Sequence, residues 1–590
     1  MTLAQEISTE NGRTVETLAL TERNKRVLSC AYVDAFGADP TGKEDSTLAF
    51  ILAAQSVTNN AELSGYDPEN HVYGKVIVGR GSYKIKDVPL FTGVTFEGQG
   101  IFATRVFPEN DAEYCFTTRG TKGIDETGFA KHRLIASGVA SMSIGHNFFY
   151  ESGEKYATNA GAIFIKNASY CKFSDLSISG LNGGGLVLQE VMDSDFDSIK
   201  IMEVGKITNA YALTILGNEN SKDGSNAVFF RRLHIEGVYA GIYIGKNSRH
   251  IWFSHYKHET ALAPSIIEND LGVVFDSAEI SWSNYSYPVF IIRSTDTYSP
   301  LGVMFNHPVF ISSSYDSIYF DVQNRSRLVI SDALLRRVGT LARGSNITIS
   351  GGAAYDCAQP LVDGVNNVVI DNVNWTINQK PVGVIDVNRL TGRKNTIRHC
   401  KIIAYGDVDD NCAIINVKSD HDNSVHNNIL GGTKTFAIRS DKLSPTYVDN
   451  KAMCEARFSQ FDCSETTNPD DMSVNRYNSV LNRFQNGLGC GGIRSIKFEI
   501  QSKGVYQAKL AFGASMILVR AGNVAGAMVF CDATYNCLHL VASSGDIVEE
   551  KQETTEEGKI YLEQSGMNII IHNQLNKNLT FYCTSLSAVI

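Results

Sequence analysis

VFFRRLHIEGV (228–238) and IWFSHYKHETA (251–261) share one arrangement. An apolar anchor, Phe230 or Phe253, is followed by two polar residues and then by a run in which apolar and polar side chains alternate. The arrangement recurs in CKFSDLSISGL (171–181), SDFDSIKIMEVG (194–205), VVFDSAEISWS (273–283), VMFNHPVFISS (303–313), LVISDALLRRV (328–338) and NITISGGAAY (346–355). With Phe196, Phe230, Phe253, Phe275, Phe305 and Ile330 as equivalent anchors, the spacings are 34, 23, 22, 30 and 25 residues. A period in the low twenties with variable insertions is a solenoid signature, each unit burying its faces against its neighbours. Short strands joined by corners make that solenoid a parallel β-helix. A row of β-sandwiches would need hairpin turns such as Asn-Gly, and these are nearly absent between residues 160 and 430.

Either side of the repeats the texture changes. FGADPTGKEDSTLAF (36–50) is a Gly- and Pro-rich turn leading into an apolar stretch. Asp45 or Ser46 is placed to cap a helix there, and Leu48, Ile51, Leu52 and Val57 recur at helical spacing. KVIVGRGSYKIKDVPLFTGVTFEGQG (75–100) reads as short strands separated by glycine turns. After about residue 437 the repeat fades. MSVNRYNSVLNRFQNG (472–487) reads as a short helix, and from about Gly489 longer strands predict a β-sandwich with a solvated acidic loop, EEKQETTEEG (549–558).

Composition excludes several classes. The 590 residues carry a net charge of −10 with no basic stripe, which argues against a nucleic-acid partner. No window approaches the roughly eighteen apolar residues of a membrane span. The N-terminus lacks the basic start and apolar core of a signal peptide. Twelve cysteines are scattered without a metal-type pairing, the nearest pair being Cys531 and Cys537, so free and mostly buried thiols from a cytoplasmic folding environment are expected. No metal site and no cofactor is expected.

YVDAFGADPTGKEDSTLAF (32–50) followed by VIVGRGSYKIKDVPLFTGVTFEGQG (76–100) resembles the N-terminal signature of the pectate-lyase-like superfamily of right-handed parallel β-helices. With the acidic chain and the C-terminal sandwich, the whole resembles bacteriophage tailspikes, depolymerases of bacterial capsular polysaccharide. The resemblance implies an all-β fold, a right-handed parallel β-helix whose N-terminal helix caps the open apolar end. It implies a short virion-attachment segment (1–30), a catalytic β-helix (31–440), a linker or neck (441–488), and a C-terminal domain (489–590) for trimerisation or carbohydrate binding. A homotrimer is implied, attached to the virion tail through another phage tail protein. Such a chain is made in the host cytoplasm and acts outside the host cell.

Residues at one register in neighbouring rungs lie about 4.8 Å apart, so aligning the anchors maps the sequence onto a surface. The sixth residue after each anchor gives Met202, Glu236, Glu259, Ser281, Ile311 and Arg336; the fourth gives Lys200, His234, Lys257, Glu279, Val309 and Leu334; the second gives Ser198, Arg232, His255, Ser277, His307 and Asp332. Strand alternation puts these three columns outside and the third and fifth inside, leaving His258 as a satisfied inward histidine. Trp252, Tyr239, Trp282, Tyr285 and Tyr287 are close in sequence and suit stacking on sugar rings.

Glu236 and Glu259 are the main catalytic candidates. Two carboxylates a rung apart cannot both ionise comfortably, so one pKa is expected to rise, separating an acid from a base or nucleophile. Adjacent rungs suit a retaining glycosidase, and Glu236 with Glu279, two rungs apart, suits an inverting one. Arg232, His234, His255 and Lys257 can bind substrate or serve a lyase, in which a base removes a proton beside a neutralised uronate carboxylate. A non-catalytic glycan-binding adhesin is the reading from another class. Asp409 and Asp410 read as turn residues. GHN (145–147) is not followed by the Arg-Ile-Lys of pectin hydrolases, and clusters of the calcium-binding pectate-lyase type are not evident.

Overall fold

A computed structural model describes residues 30–58, 74–118, 133–146, 159–217, 224–268, 271–282, 287–294, 302–358, 360–377, 387–404, 413–417, 423–432, 436–440, 451–452, 492–500, 505–509, 514–521, 525–532, 537–544, 548–550, 559–565, 568–575 and 578–587. The expected 472–487 helix, Tyr285, Asp409, Asp410, residues 551–558 of the acidic loop and residues 1–29 lie outside this set.

The anchors form an aromatic column. Rings of Phe196 and Phe230, Phe230 and Phe253, Phe253 and Phe275, and Phe275 and Phe305 stack at centroid separations of 4.8, 4.9, 4.6 and 4.4 Å. The stack explains the repeat: an inward phenylalanine at the same register in each rung covers the one before it, and each is essentially inaccessible to solvent. Backbone register follows, with Phe196↔Phe230, Phe230↔Phe253, Phe253↔Phe275, Phe275↔Phe305 and Phe305↔Ile330 as parallel partners. The architecture is a parallel β-helix.

Strand Asn226–Ile244 shows how a rung turns. It bends at Arg232 (φ 53°) and Gly237 (φ 63°), so one chain segment contributes to three faces. Residues 226–231 pair with 249–254 on the first, 234–236 with 257–259 on the second, and 238–244 with 261–267 on the third. Each second-after-anchor residue, Ser198, Arg232, His255, Ser277, His307 and Asp332, has positive φ between 49° and 56°. These residues are therefore left-handed corners between the first and second faces, not members of the outer strand face as alternation predicts. A side chain pays a steric penalty there that short polar residues tolerate best.

Two compact units are distinguishable, Met1–Leu335 and Arg336–Ile590. The first contains the rungs above. In the second, parallel pairing continues through Ile370↔Ile397 and Ile397↔Val425. Buried asparagines stack at one corner there: Asn395 Oδ1 accepts from the Val368 amide at 3.0 Å, and Asn423 Oδ1 accepts from the Asn395 amide at 2.9 Å. Such ladders satisfy amides that a corner leaves unpaired. Beyond them, Gly492–Ile500 and Leu579–Ser587 pair antiparallel, in a five-stranded sheet accompanied by a four-stranded one.

The turn before the helix has its own cause. Asp39 carboxylate oxygens accept from the Thr41, Lys43 and Glu44 amides, each at 2.9 Å. The Glu44 and Thr41 hydrogen bonds lead in holding its pKa well below the carboxylate range. Gly42 has φ +71°, and a Cβ there would lie 2.8 Å from the Phe107 ring. The helix runs Thr47–Ser56 with Ser46 at its N-cap, but its buried face is Ala49, Phe50, Ala53 and Ala54. Leu48 and Leu52 are exposed, so the Leu48/Ile51/Leu52 stripe is not the packing face. Phe50 selects the orientation by packing against Tyr83, Phe96 and Phe116. Cys115, Cys171, Cys357 and Cys400 are buried free thiols, and Cys30 is exposed. Among the described residues no helix is long and apolar enough to cross a membrane.

Candidate functional site

The second face carries the charged columns in the expected register. Met202 pairs with Glu236, Glu236 with Glu259, Glu259 with Ser281 and Ser281 with Ile311. Alongside, Lys200 pairs with His234, His234 with Lys257 and Lys257 with Glu279. Inward between them run Ile201, Ile235, His258 and Ile280, all buried. The alternation of period two thus brings five ionisable side chains onto three rungs of one surface.

Their geometry is specific. His234 Nε2 is 3.6 Å from Glu236 Oε2 and 3.6 Å from Glu259 Oε2, beyond hydrogen-bond length to either. Lys257 Nζ is 2.8 Å from Glu259 Oε1 and 3.7 Å from Glu279 Oε1. One donor atom each of His234, Glu236 and Glu259 lies within 4.8 Å of the others. Burial acts to raise the Glu259 pKa, but the Lys257 hydrogen bond and charge, with His234, hold it below the ordinary glutamate value. The expected rise of one carboxyl is therefore reversed at Glu259, because a lysine interleaves with the glutamates. Burial lowers the His234 pKa and outweighs the pull of the carboxylates, so its imidazole is neutral at neutral pH. The hydrogen bond to Glu259 raises the Lys257 pKa.

The other sequence candidates are placed differently. Arg232 sits at the corner and grips Asp197 through Nε at 3.1 Å and Nη2 at 2.8 and 2.9 Å. Burial works to raise the Asp197 pKa, and the Arg232 pair more than offsets this. His255, also a corner residue, has Nδ1 3.0 Å from Ser254 Oγ. Trp252 is 42% exposed but belongs to the first face, in a column with Phe229, Val274 and Met304. Tyr239 lies past the second corner on the third face, and Tyr287 immediately precedes the third-face strand Pro288–Arg293. None of these aromatics shares the carboxylate face.

Trp282 is corrected outright: it is 1% exposed, inside the helix, with its ring 5.7 Å from His258. It is the seventh residue after Phe275, an odd and hence inward position. His258 is inward as expected but not satisfied; among the described residues neither ring nitrogen has a hydrogen-bond partner, and the same holds for Tyr256 Oη and Trp282 Nε1. Burial lowers the His258 pKa to about 3.

A cluster that the column alignment missed lies on the third face. Glu268 accepts from the Tyr243 hydroxyl at 2.6 Å and from Arg293 Nε and Nη2 at 3.1 and 2.5 Å. The Tyr211 ring is 5.3 Å from that of Tyr243. Glu268 directly follows the strand Ser265–Ile267, and only a third-face alignment could have paired it with Arg293.

No family model matches this chain, and no curated protein matches it. Solved structures do. A double mutant of the tailspike protein of E. coli bacteriophage HK620 is similar over 99% of this chain and 98% of its own, at 8% identity and TM-score 0.43. The N-terminal fragment of bacteriophage Phi29 gene product 12 is similar over 73% of this chain and 72% of its own, at 12% identity and TM-score 0.46. PfbA, a surface adhesin of Streptococcus pneumoniae, is similar over 70% of this chain and 91% of its own, at 13% identity and TM-score 0.38.

Proposed function

We propose that this chain is a tailspike depolymerase that binds a bacterial capsular polysaccharide and hydrolyses it on the second face of the β-helix. The observation that carries the reading is the register partnership of Glu236 and Glu259, outward on consecutive rungs. One carboxylate oxygen of each lies within 4.8 Å of the other, closer to the roughly 5–5.5 Å carboxyl spacing of retaining glycosidases than to the 6.5–9.5 Å of inverting ones. Glu259, kept ionised by Lys257, is the nucleophile. It attacks the anomeric carbon while Glu236 gives its proton to the departing glycosidic oxygen. Water, deprotonated by Glu236, then displaces Glu259, and both carboxyl groups return to their starting states. Glu279 shares Lys257 with Glu259 and supports its placement.

Elimination is less well supported, because the two cations suited to neutralise a uronate are already occupied: Arg232 by Asp197 and Lys257 by Glu259. A neutral His234 beside both carboxylates is what favours it as a second reading. The remaining assignments follow the tailspike resemblance: a homotrimer on the virion tail, held by another tail protein, with residues 489–590 serving trimerisation or glycan binding. The test is incubation with purified capsular polysaccharides, reading product size and the ultraviolet absorbance of unsaturated uronates. Shortened products without that absorbance support hydrolysis; shortened products with it establish a lyase. Binding without shortening leaves an adhesin.

A further inference from the structure

We infer that His234, Glu236 and Glu259 form a binding site for one divalent transition-metal ion, of which Zn2+ is the best fit. The three donors come from two rungs: His234 and Glu236 are two apart on one strand, hence on the same side of it, and Glu259 is the register partner of Glu236. His234 Nε2 faces both carboxylates at 3.6 Å. It is shielded from solvent and makes no hydrogen bond among the described residues. Zinc–nitrogen and zinc–oxygen bonds of about 2.0–2.2 Å in a tetrahedral site set ligand atoms roughly 3.3–3.6 Å apart. The two N···O separations therefore already match a site in which the ion replaces the missing hydrogen bonds.

Charge and ligand type agree with this assignment. The carboxyl groups of Glu236, Glu259 and Glu279 outnumber the ammonium groups of Lys257 and Lys200 on this face, and an ion bound here displaces the proton that Glu236 carries as the acid. Lys257 engages Glu259 through Oε1, so Oε2 stays directed at His234. That is the outer contact which typically orients a metal-binding carboxylate. An imidazole nitrogen with two carboxylate oxygens selects zinc-like ions over calcium or magnesium, which favour all-oxygen shells. Three protein ligands leave a position open to water or a sugar hydroxyl. The consequence for the proposed hydrolysis is inhibition, since the ion engages both carboxylates at once. The inference does not depend on that hydrolysis.

Calorimetric titration of the chelator-treated full chain with Zn2+ tests it, and the readout needs no glycan. One ion per chain is expected. Affinity should fall at least about tenfold in His234→Ala and in Glu236→Gln, and hold in His307→Ala, which alters an exposed histidine outside the trio. Circular dichroism establishes that each variant is folded, with His234→Gln as the substitute should His234→Ala fail to fold. Visible absorption of bound Co2+, displaced by Zn2+, gives a second reading on the unaltered chain. Absence of binding at millimolar Zn2+, or equal binding by the parent and the folded His234 variant, overturns the inference. A chain that binds Zn2+ through His234 yet cleaves no polysaccharide retains this site and loses only the hydrolase reading.

Discussion

Lys257 lies between two glutamates of its own column and its neighbour, and it closes on Glu259, at 2.8 Å, rather than on Glu279, at 3.7 Å. That choice breaks the symmetry of the carboxylate pair. Glu259 keeps its charge and Glu236 has no lysine contact among the described residues, the asymmetry that the proposed nucleophile and acid require. Glu236→Gln and Glu259→Gln should each reduce turnover on the polysaccharide by about 10²–10⁴-fold. Both side chains are outward and partly exposed, so thermal unfolding should barely move. Turnover within a few fold of the parent in both variants, with folding intact, would remove the site assignment.

The same contact sets an acid limb. A carboxylate held below the ordinary glutamate value stays charged as pH falls towards that value, about 4.3, and activity that needs its charge persists with it. Lys257→Met removes the contact that lowers it and leaves the burial that raises it. The acid limb of turnover, measured in chelator-treated protein, should then move to higher pH. An unmoved limb would mean that Lys257 does not govern Glu259.

His258 predicts a pH dependence of stability rather than of activity. Burial depresses its pKa to about 3 from the ordinary histidine value of about 6.5. A depressed group binds fewer protons when folded than when unfolded. Its contribution is therefore complete above the unfolded value and is lost as pH falls towards the folded one. The stability of the parent against urea should fall as pH drops between those two values, and His258→Leu should flatten that slope. Because both ring nitrogens are unpartnered, the leucine should be neutral or stabilising at neutral pH. A strongly destabilised His258→Leu chain would show that the histidine is satisfied in solution.

Phe253 tests the aromatic column. Its ring is stacked on both sides, at 4.9 Å from Phe230 and 4.6 Å from Phe275. Phe253→Ala leaves a void that neighbouring rungs cannot close without breaking register, so it should cost about 3–5 kcal/mol, read by urea unfolding. A loss under about 1 kcal/mol would show that the column is not what fixes the rungs.

Phe253 also shows what is legible in the sequence. The anchors were readable because a stacked ring must recur at one register, and once they were aligned the Glu236–Glu259 and His234–Lys257–Glu279 columns followed from strand alternation. The corners were not readable in that way. Arg232 and His255 continue the alternating pattern in letters but occupy left-handed backbone, so the pattern of period two is interrupted where the face changes. The aromatics failed for a related reason: Trp252 and Tyr239 are a few residues from Glu259 and Glu236 along the chain but lie beyond a corner. Trp282 carried its own warning, an inward register position, which its reputation as a sugar-stacking residue obscured. On the helix, the spacing of Leu48, Ile51 and Leu52 is helical but does not mark the buried face, which the aromatic cluster around Phe50, assembled from distant strands, selects.

Arg232 gives the test that ranks elimination against hydrolysis. Its guanidinium makes a two-pronged contact with Asp197, and such a pair at the surface is worth little to stability, roughly 0–1 kcal/mol. In a hydrolase built on Glu236 and Glu259, Arg232→Ala should leave turnover nearly unchanged and affect chiefly the substrate concentration needed for half-maximal rate. In a lyase the same arginine would have to leave Asp197 and neutralise a uronate carboxylate as the neighbouring proton is removed. Its loss would then cost about 2.7–4 kcal/mol of transition-state stabilisation, a fall of about 10²–10³-fold in turnover. Steady-state kinetics of parent and variant on one defined oligosaccharide separate the cases. Unchanged turnover keeps the carboxylate mechanism, whereas a collapse together with unsaturated products transfers the chemistry to His234 as the base.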